Sequence, residues 1–206
     1  MARYLDVHPV NPQPRAIAQA VQVLRDGGLI AYPTDSCFAL GCTLGNRVAL
    51  DRIREIRHLD HRHHFTLVCK DFAQLGQLVH VSNAMFRLVK ACTPGPYTFI
   101  LPATPEVPRR LMNPKKHTVG VRIPEHPVVQ ALLVELGEPL VSSTLLLPDH
   151  EDPLTDGWTV KEELDHVVDV VIDSGECGVV PTTVVDLSGD APEVVRVGAG
   201  DVSRFA

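Results

Sequence analysis

Apolar and polar positions follow two rhythms along this chain, and the rhythms alternate. Between Pro14 and Arg25, Ile17, Val21 and Leu24 recur at helical spacing; Pro14 suits a first-turn position and Gly27-Gly28 a stop. Leu29 to Tyr32 then reads as a short buried strand broken by Pro33, and Phe38 to Cys42 resumes the apolar run. Asn46 is placed to cap a helix carrying Val48, Leu50, Ile53 and Ile56, followed by a His-rich polar loop from His58 to His64. Phe65 to Cys69 is a strand, and Asp71 and Ser82 are N-caps of two helices, the second ending before Pro94-Gly95-Pro96.

The same alternation continues to the C-terminus. Tyr97–Leu101 and Val119–Ile123 are strands, a helix over 127–136 closes at Gly137, and Leu140 to Leu147 is apolar again. Pro148 to Gly157 is an acidic loop, and Thr159-Val160-Lys161-Glu162 fits a capping box. Val167–Ile172, Thr183–Leu187 and Val194–Val197 are β-branched strands. Helices alternating with short apolar strands predict one α/β domain over residues 1–206, its core about 14–200, with a twisted, largely buried sheet and flanking helices.

Composition narrows the picture. With 206 residues, 45% of them hydrophobic, the chain buries a core without disulfide or metal staples, and disorder is excluded as its main state. No stretch reaches the roughly 18 apolar residues of a membrane span. The first residues lack the apolar core of a secretory leader, and the five cysteines are scattered without a Cys-x-x-Cys pair. Reduced thiols in a cytoplasmic protein are expected.

Charge changes the picture more. The net charge is −6. Residues 52–122 hold 12 basic and 4 acidic side chains, whereas residues 123–206 hold 3 basic and 17 acidic ones. Such a split predicts a basic site on an acidic body.

Several polar segments interrupt the apolar runs. Thr34-Asp35-Ser36 lies between two strands, as either a ligand-holding loop or a structural turn. Arg54 and Arg57 are three apart on one helix, able to reach one phosphate together or to line a solvated surface; His61, His63 and His64 beside them also admit a metal. Arg109, Arg110, Lys115 and Lys116 occur without an acidic neighbour, as an RNA-tracking patch or a solvated face. Arg122 is embedded in an apolar strand and requires an anionic partner, a protein carboxylate or a ligand carboxylate. Ser142-Ser143-Thr144, Pro181-Thr182-Thr183 and Arg196-x-Gly198 put hydroxyls and an Arg at strand ends, where open α/β sheets bind ligands. Neither phosphate-binding glycine motif is present, so a nucleotide site is unconventional.

The order and spacing of Pro33-Thr34-Asp35-Ser36 with Leu40-Gly41, Val119 to Pro124, Pro139-Leu140 with its hydroxyls, Pro181 to Asp186, and Arg196-x-Gly198 resemble the YrdC-like family, most closely its YciO branch. The resemblance covers nearly the whole chain. It implies a twisted α/β sheet around a concave electropositive cavity, with ATP or AMP and threonine as small-molecule partners and tRNA or duplex RNA as a macromolecular one. It also implies synthesis of threonylcarbamoyl-AMP from threonine, bicarbonate and ATP for tRNA modification, with Mg²⁺ accompanying ATP. Position by position, it implies that Thr34, Arg122 and Thr182 meet the amino acid, and that Arg57, Thr118, Ser142, Thr144 and Arg196 meet the nucleotide. It supplies no protein nucleophile and no metal ligand.

The chain departs from the synthase pattern on the nucleotide side. Glu55 replaces a Lys, Phe38 a Tyr, and Leu146 an Asn, and the His-rich loop is longer. These departures predict reduced or altered synthase activity. The alternative expectation is an RNA- or nucleotide-binding module without synthesis.

Overall fold

The computed structural model describes residues 1–60 and 63–205. Its elements run β1 (Arg3–Asp6), α1 (Pro14–Arg25), β2 (Ile30–Tyr32), β3 (Ala39–Thr43), α2 (Arg47–Arg57), β4 (Thr66–Val68), α3 (Phe72–Leu78) and α4 (Asn83–Cys92). They continue as β5 (Tyr97–Pro102), β6 (Thr118–Arg122), α5 (Pro127–Leu136), β7 (Leu140–Thr144), α6 (Gly157–Leu164), β8 (Val170–Asp173), β9 (Thr183–Asp186) and β10 (Glu193–Arg196).

The helix starts follow from their caps. Asn46, Asp71 and Ser82 each accept a backbone N–H from the first turn, as expected. Two local expectations fail. The cap of α6 is Asp156, whose carboxylate accepts the Thr159 N–H, so Thr159 lies inside the helix rather than starting it. Val48 is exposed; α2 buries Ala49, Leu50 and Ile53 instead, because Val48 falls off the face that these three share.

One mixed sheet contains all ten strands, in the order β1-β8-β2-β3-β7-β4-β6-β5-β9-β10. Its two faces are covered unequally. On one face, α2, α3, α4 and α6 pack over Leu40, Leu67, Phe99, Val121 and Val141. On the other, α1 and α5 pack over Ile30, Tyr32, Val68, Leu140 and Val170. That second helical layer stops partway across the sheet. Over β4, β6, β5 and β9, the same face carries Thr66, Thr98, Thr118, Gly120 and Arg122, which line a cavity instead of packing under α1 and α5. The uncovered half is the floor of a cavity.

Candidate functional site

The cavity measures about 650 Å³, the size range of a site for a nucleotide or drug-sized ligand. Hydroxyls dominate its polar lining: Thr34, Ser36, Thr98, Thr118, Ser142, Ser143, Thr144 and Thr182. Charged side chains of both signs join them, with Arg57, Lys116, Arg122 and Arg196 against Glu151, Asp152, Asp186 and Glu193. Glu151, Asp152 and Glu193 are exposed. Lys116 and Arg196 are exposed as well, while Arg122 and Asp186 are buried and Arg57 is half-buried, so charges of both signs line the cavity at both depths.

Each wall is fixed by local packing. The segment after β2 is a tight turn: Thr34 Oγ1 donates to the Cys37 carbonyl at 2.7 Å and accepts the Ser36 and Cys37 N–H groups. The structural turn expected for Thr34-Asp35-Ser36 is present, and Thr34 and Ser36 of that turn line the cavity. Behind it, Tyr32 reaches across β3 and its hydroxyl meets Ser142 Oγ at 2.7 Å. The Tyr32 ring occupies the space where a side chain at position 41 would stand; a Cβ on Gly41 would lie 2.7 Å from it.

Arg122 has a protein partner. Its guanidinium pairs with the Asp35 carboxylate, both side chains being 9% exposed. The other Asp35 oxygen accepts the Glu125 N–H at 2.8 Å. Of the two partners anticipated for Arg122, the structure supplies the carboxylate from the protein. Arg122 Nε is buried and has no hydrogen-bond partner among the described residues, so the guanidinium keeps unused donor capacity while lining the cavity.

Arg57 and Arg196 are held differently. Arg57 leaves the C-terminal turn of α2 and donates to the Leu146 carbonyl and to Ser143 Oγ. Arg196, on β10, donates to the Thr182 carbonyl and hydroxyl. Gly198 permits this, because a Cβ there would lie 2.2 Å from the Pro181 carbonyl oxygen. Among the described residues, neither arginine forms an ion pair. Burial, and then the like charge of Arg196, lower the Arg57 pKa. Two guanidinium groups without an ion-pair partner among the described residues, on one cavity, are chemically suited to an anion.

The other expected residues divide. Arg54 does not join Arg57; it pairs with Asp51 at 2.7 Å and stacks over Phe65, because three residues of helix turn it toward its own N-terminal neighbour. Thr118 and Thr144 line the cavity, and Thr182 shares a 2.9 Å hydrogen bond with Thr98. Glu55 is exposed and lies outside the lining, so its carboxylate adds no charge to the wall that Arg57 forms. Phe38 and Leu146 both line the cavity.

The basic run bends. Arg109 and Arg110 sit on a 3₁₀ turn and are exposed with Lys115 and Lys116. Lys116 points to the cavity and its Nζ lies 3.3 Å from Asp186. Of the histidines, His61 lies outside the described residues; His63 and His64 line the cavity. No group of three or more metal-ligating side chains occurs among the described residues. Burial pushes the Cys37 and Cys177 thiols up to about 11, and Cys42 and Cys69 to about 12, so none is an activated nucleophile.

Comparison with known sequences places the chain. The sequence model of the Sua5/YciO/YrdC family, described as "Telomere recombination", matches residues 22–198. This chain belongs to that family. Within the family it is 49% identical to the uncharacterised protein YciO of Escherichia coli K12 over the full length of both, and to that protein's crystal structure with a TM-score of 0.96. It is 34% identical to the threonylcarbamoyl-AMP synthase of Vibrio vulnificus, over 79% of this chain and 87% of the synthase. Another Sua5/YciO/YrdC structure, P. abyssi Sua5 complexed with L-threonine, superposes with a TM-score of 0.86 at 27% identity, covering 95% of this chain and 57% of that one. The fold and the family read from the strand-end motifs are therefore both correct. No helix among the described residues is long and apolar enough to cross a membrane.

Proposed function

We propose that the cavity binds an adenine nucleotide together with a small amino acid and carries threonylcarbamoyl-AMP synthase-type chemistry, altered from that of the synthases. The carrying observation is the pair Arg57 and Arg196, two guanidinium groups without carboxylate partners among the described residues, on one hydroxyl-lined cavity. The likeness to a synthase and to a Sua5 structure holding L-threonine supports the reading.

In that chemistry a carbamate oxygen of the amino acid attacks the α-phosphorus of ATP and pyrophosphate leaves. Charge gathers on the phosphoryl oxygens, and Arg57 and Arg196 are the groups that stabilise it. Arg122 and Thr182 orient the amino acid, Thr34 closes its side, and Thr118, Ser142 and Thr144 face the nucleotide. No protein nucleophile takes part. The carboxylates do not form a resident Mg²⁺ cage, because Asp186 is engaged by Lys116 and Ser188 while the others stand at the rim. Magnesium enters as part of MgATP.

The decisive experiment is calorimetric titration with ATP, AMP and threonine, separately and together. Cooperative binding of ATP and threonine supports the reading, and absence of nucleotide binding overturns it.

A second reading, an RNA-binding module without synthesis, is favoured by one observation. Arg109, Arg110, Lys115 and Lys116 are all exposed on one short segment beside the cavity. Its test is salt-dependent binding to tRNA or duplex RNA.

A further inference from the structure

His63 lines the cavity beside Arg57, and its hydrogen bonding sets its protonation. A guanidinium only donates, so Ser143 Oγ accepts from Arg57. The Ser143 hydroxyl keeps its proton and faces His63 Nε2 at 3.4 Å. In the tautomer in which Ser143 donates this contact, Nε2 is the unprotonated ring nitrogen. The Phe65 ring meets the imidazole edge-on at 5.2 Å and holds its plane. Burial first, and then Arg57, His64 and Arg54, push the His63 pKa down, against a single opposing contribution from Asp60, to about 4. The side chain is thus a neutral proton acceptor within an anion site.

The adenylation step itself has no use for such a group: a carbamate, once formed, is an anion at neutral pH and attacks phosphorus without giving up a proton. Attack by water is different, because the water must lose a proton as it adds. A phosphate taken by Arg57 and Ser143 releases Nε2 from its long hydrogen bond. It also neutralises the cation that depresses the imidazole, which strengthens the base.

We propose that this cavity hydrolyses carbamoyl and acyl adenylates, with His63 as the general base. Water adds to the carbonyl carbon and His63 Nε2 takes its proton. The bond between that carbon and the phosphate oxygen breaks, and AMP leaves as the phosphate held by Arg57 and Arg196. The carbamate released then loses carbon dioxide to give the free amine. The inference rests on the reading that the cavity takes an adenylate.

The test uses the full chain and threonylcarbamoyl adenylate prepared beforehand, following AMP release, with AMP binding measured in parallel by calorimetry. The wild type is expected to release AMP about 100-fold faster than buffer alone, and His63→Gln to fall to within about threefold of buffer while still binding AMP. Wild-type release should also decline on acidification as His63 takes a proton, an acid limb that His63→Gln lacks. AMP binding without faster release, or equal rates in the two proteins, overturns the inference and leaves the binding reading intact. Failure of both AMP binding and release overturns both. Should His63→Gln not fold, the wild-type profile decides, a flat profile through the acid range counting against the inference.

Discussion

The Tyr32 hydroxyl meets Ser142 Oγ at 2.7 Å across a strand that bears no side chain between them. Gly41 pairs with Ser142 in register, and the Tyr32 ring fills the space above it. This contact ties β2, β3 and β7 together on the cavity face. Gly41→Ala is expected to lower stability by about 1–3 kcal/mol, because the added methyl must displace a fully buried ring. Urea unfolding measures this directly, and an unchanged midpoint would show that the ring moves freely.

Arg57→Ala and Arg196→Ala should each weaken ATP binding by about 10- to 100-fold, the loss of a charge-assisted contact to phosphate. Stability should fall by about 1–3 kcal/mol in each, since each guanidinium gives up hydrogen bonds to a main-chain carbonyl and a hydroxyl. Calorimetry and thermal melting separate the two effects. Equal ATP affinity in wild type and both variants would remove the phosphate site.

Arg122→Ala should behave otherwise. It strands the Asp35 carboxylate in a buried position, at a cost of about 3–5 kcal/mol. Adding Asp35→Asn to Arg122→Ala should restore part of that loss, because the stranded charge is gone. A double mutant no more stable than the single one would mean that the pair contributes little.

These expectations divide according to range along the chain. The caps at Asn46, Asp71 and Ser82 were legible because cap and partner are three residues apart. β1 was not legible: Arg3 to Asp6 is short, half charged and becomes a strand only by pairing with β8, more than 160 residues away. At the site, the polar strand ends were visible in the sequence. The partner of Arg122 was not, since Asp35 reaches it across 87 positions. His63 carried a local signal, the His-rich loop, but that signal admitted phosphate binding, a solvated loop or a metal and did not single out a hydrogen-bonded imidazole.

Stability should also depend on pH through His63. Its folded pKa of about 4 lies below the unfolded value near 6.5, so the unfolded chain binds the extra proton first. Stability from the neutral imidazole is present above about pH 6.5 and is lost as pH falls toward about 4. His63→Gln should flatten this part of the stability curve. A wild-type curve already level there would contradict the burial assigned to the ring.

For RNA, reversing Arg109, Arg110 and Lys115 to Glu should weaken binding to duplex RNA and reduce its salt dependence by about three phosphate contacts. Filter binding across a salt series measures both. Affinity insensitive to salt would remove the patch from consideration.

The sheet face over β4, β6, β5 and β9 lacks the helix that its neighbouring strands have. A molecule bound there would stand in for part of the missing layer and add its binding free energy to that of folding. The melting temperature of this protein is therefore itself a binding assay. Whichever compound from a metabolite collection raises it most is the one that binds tightest at the concentration used.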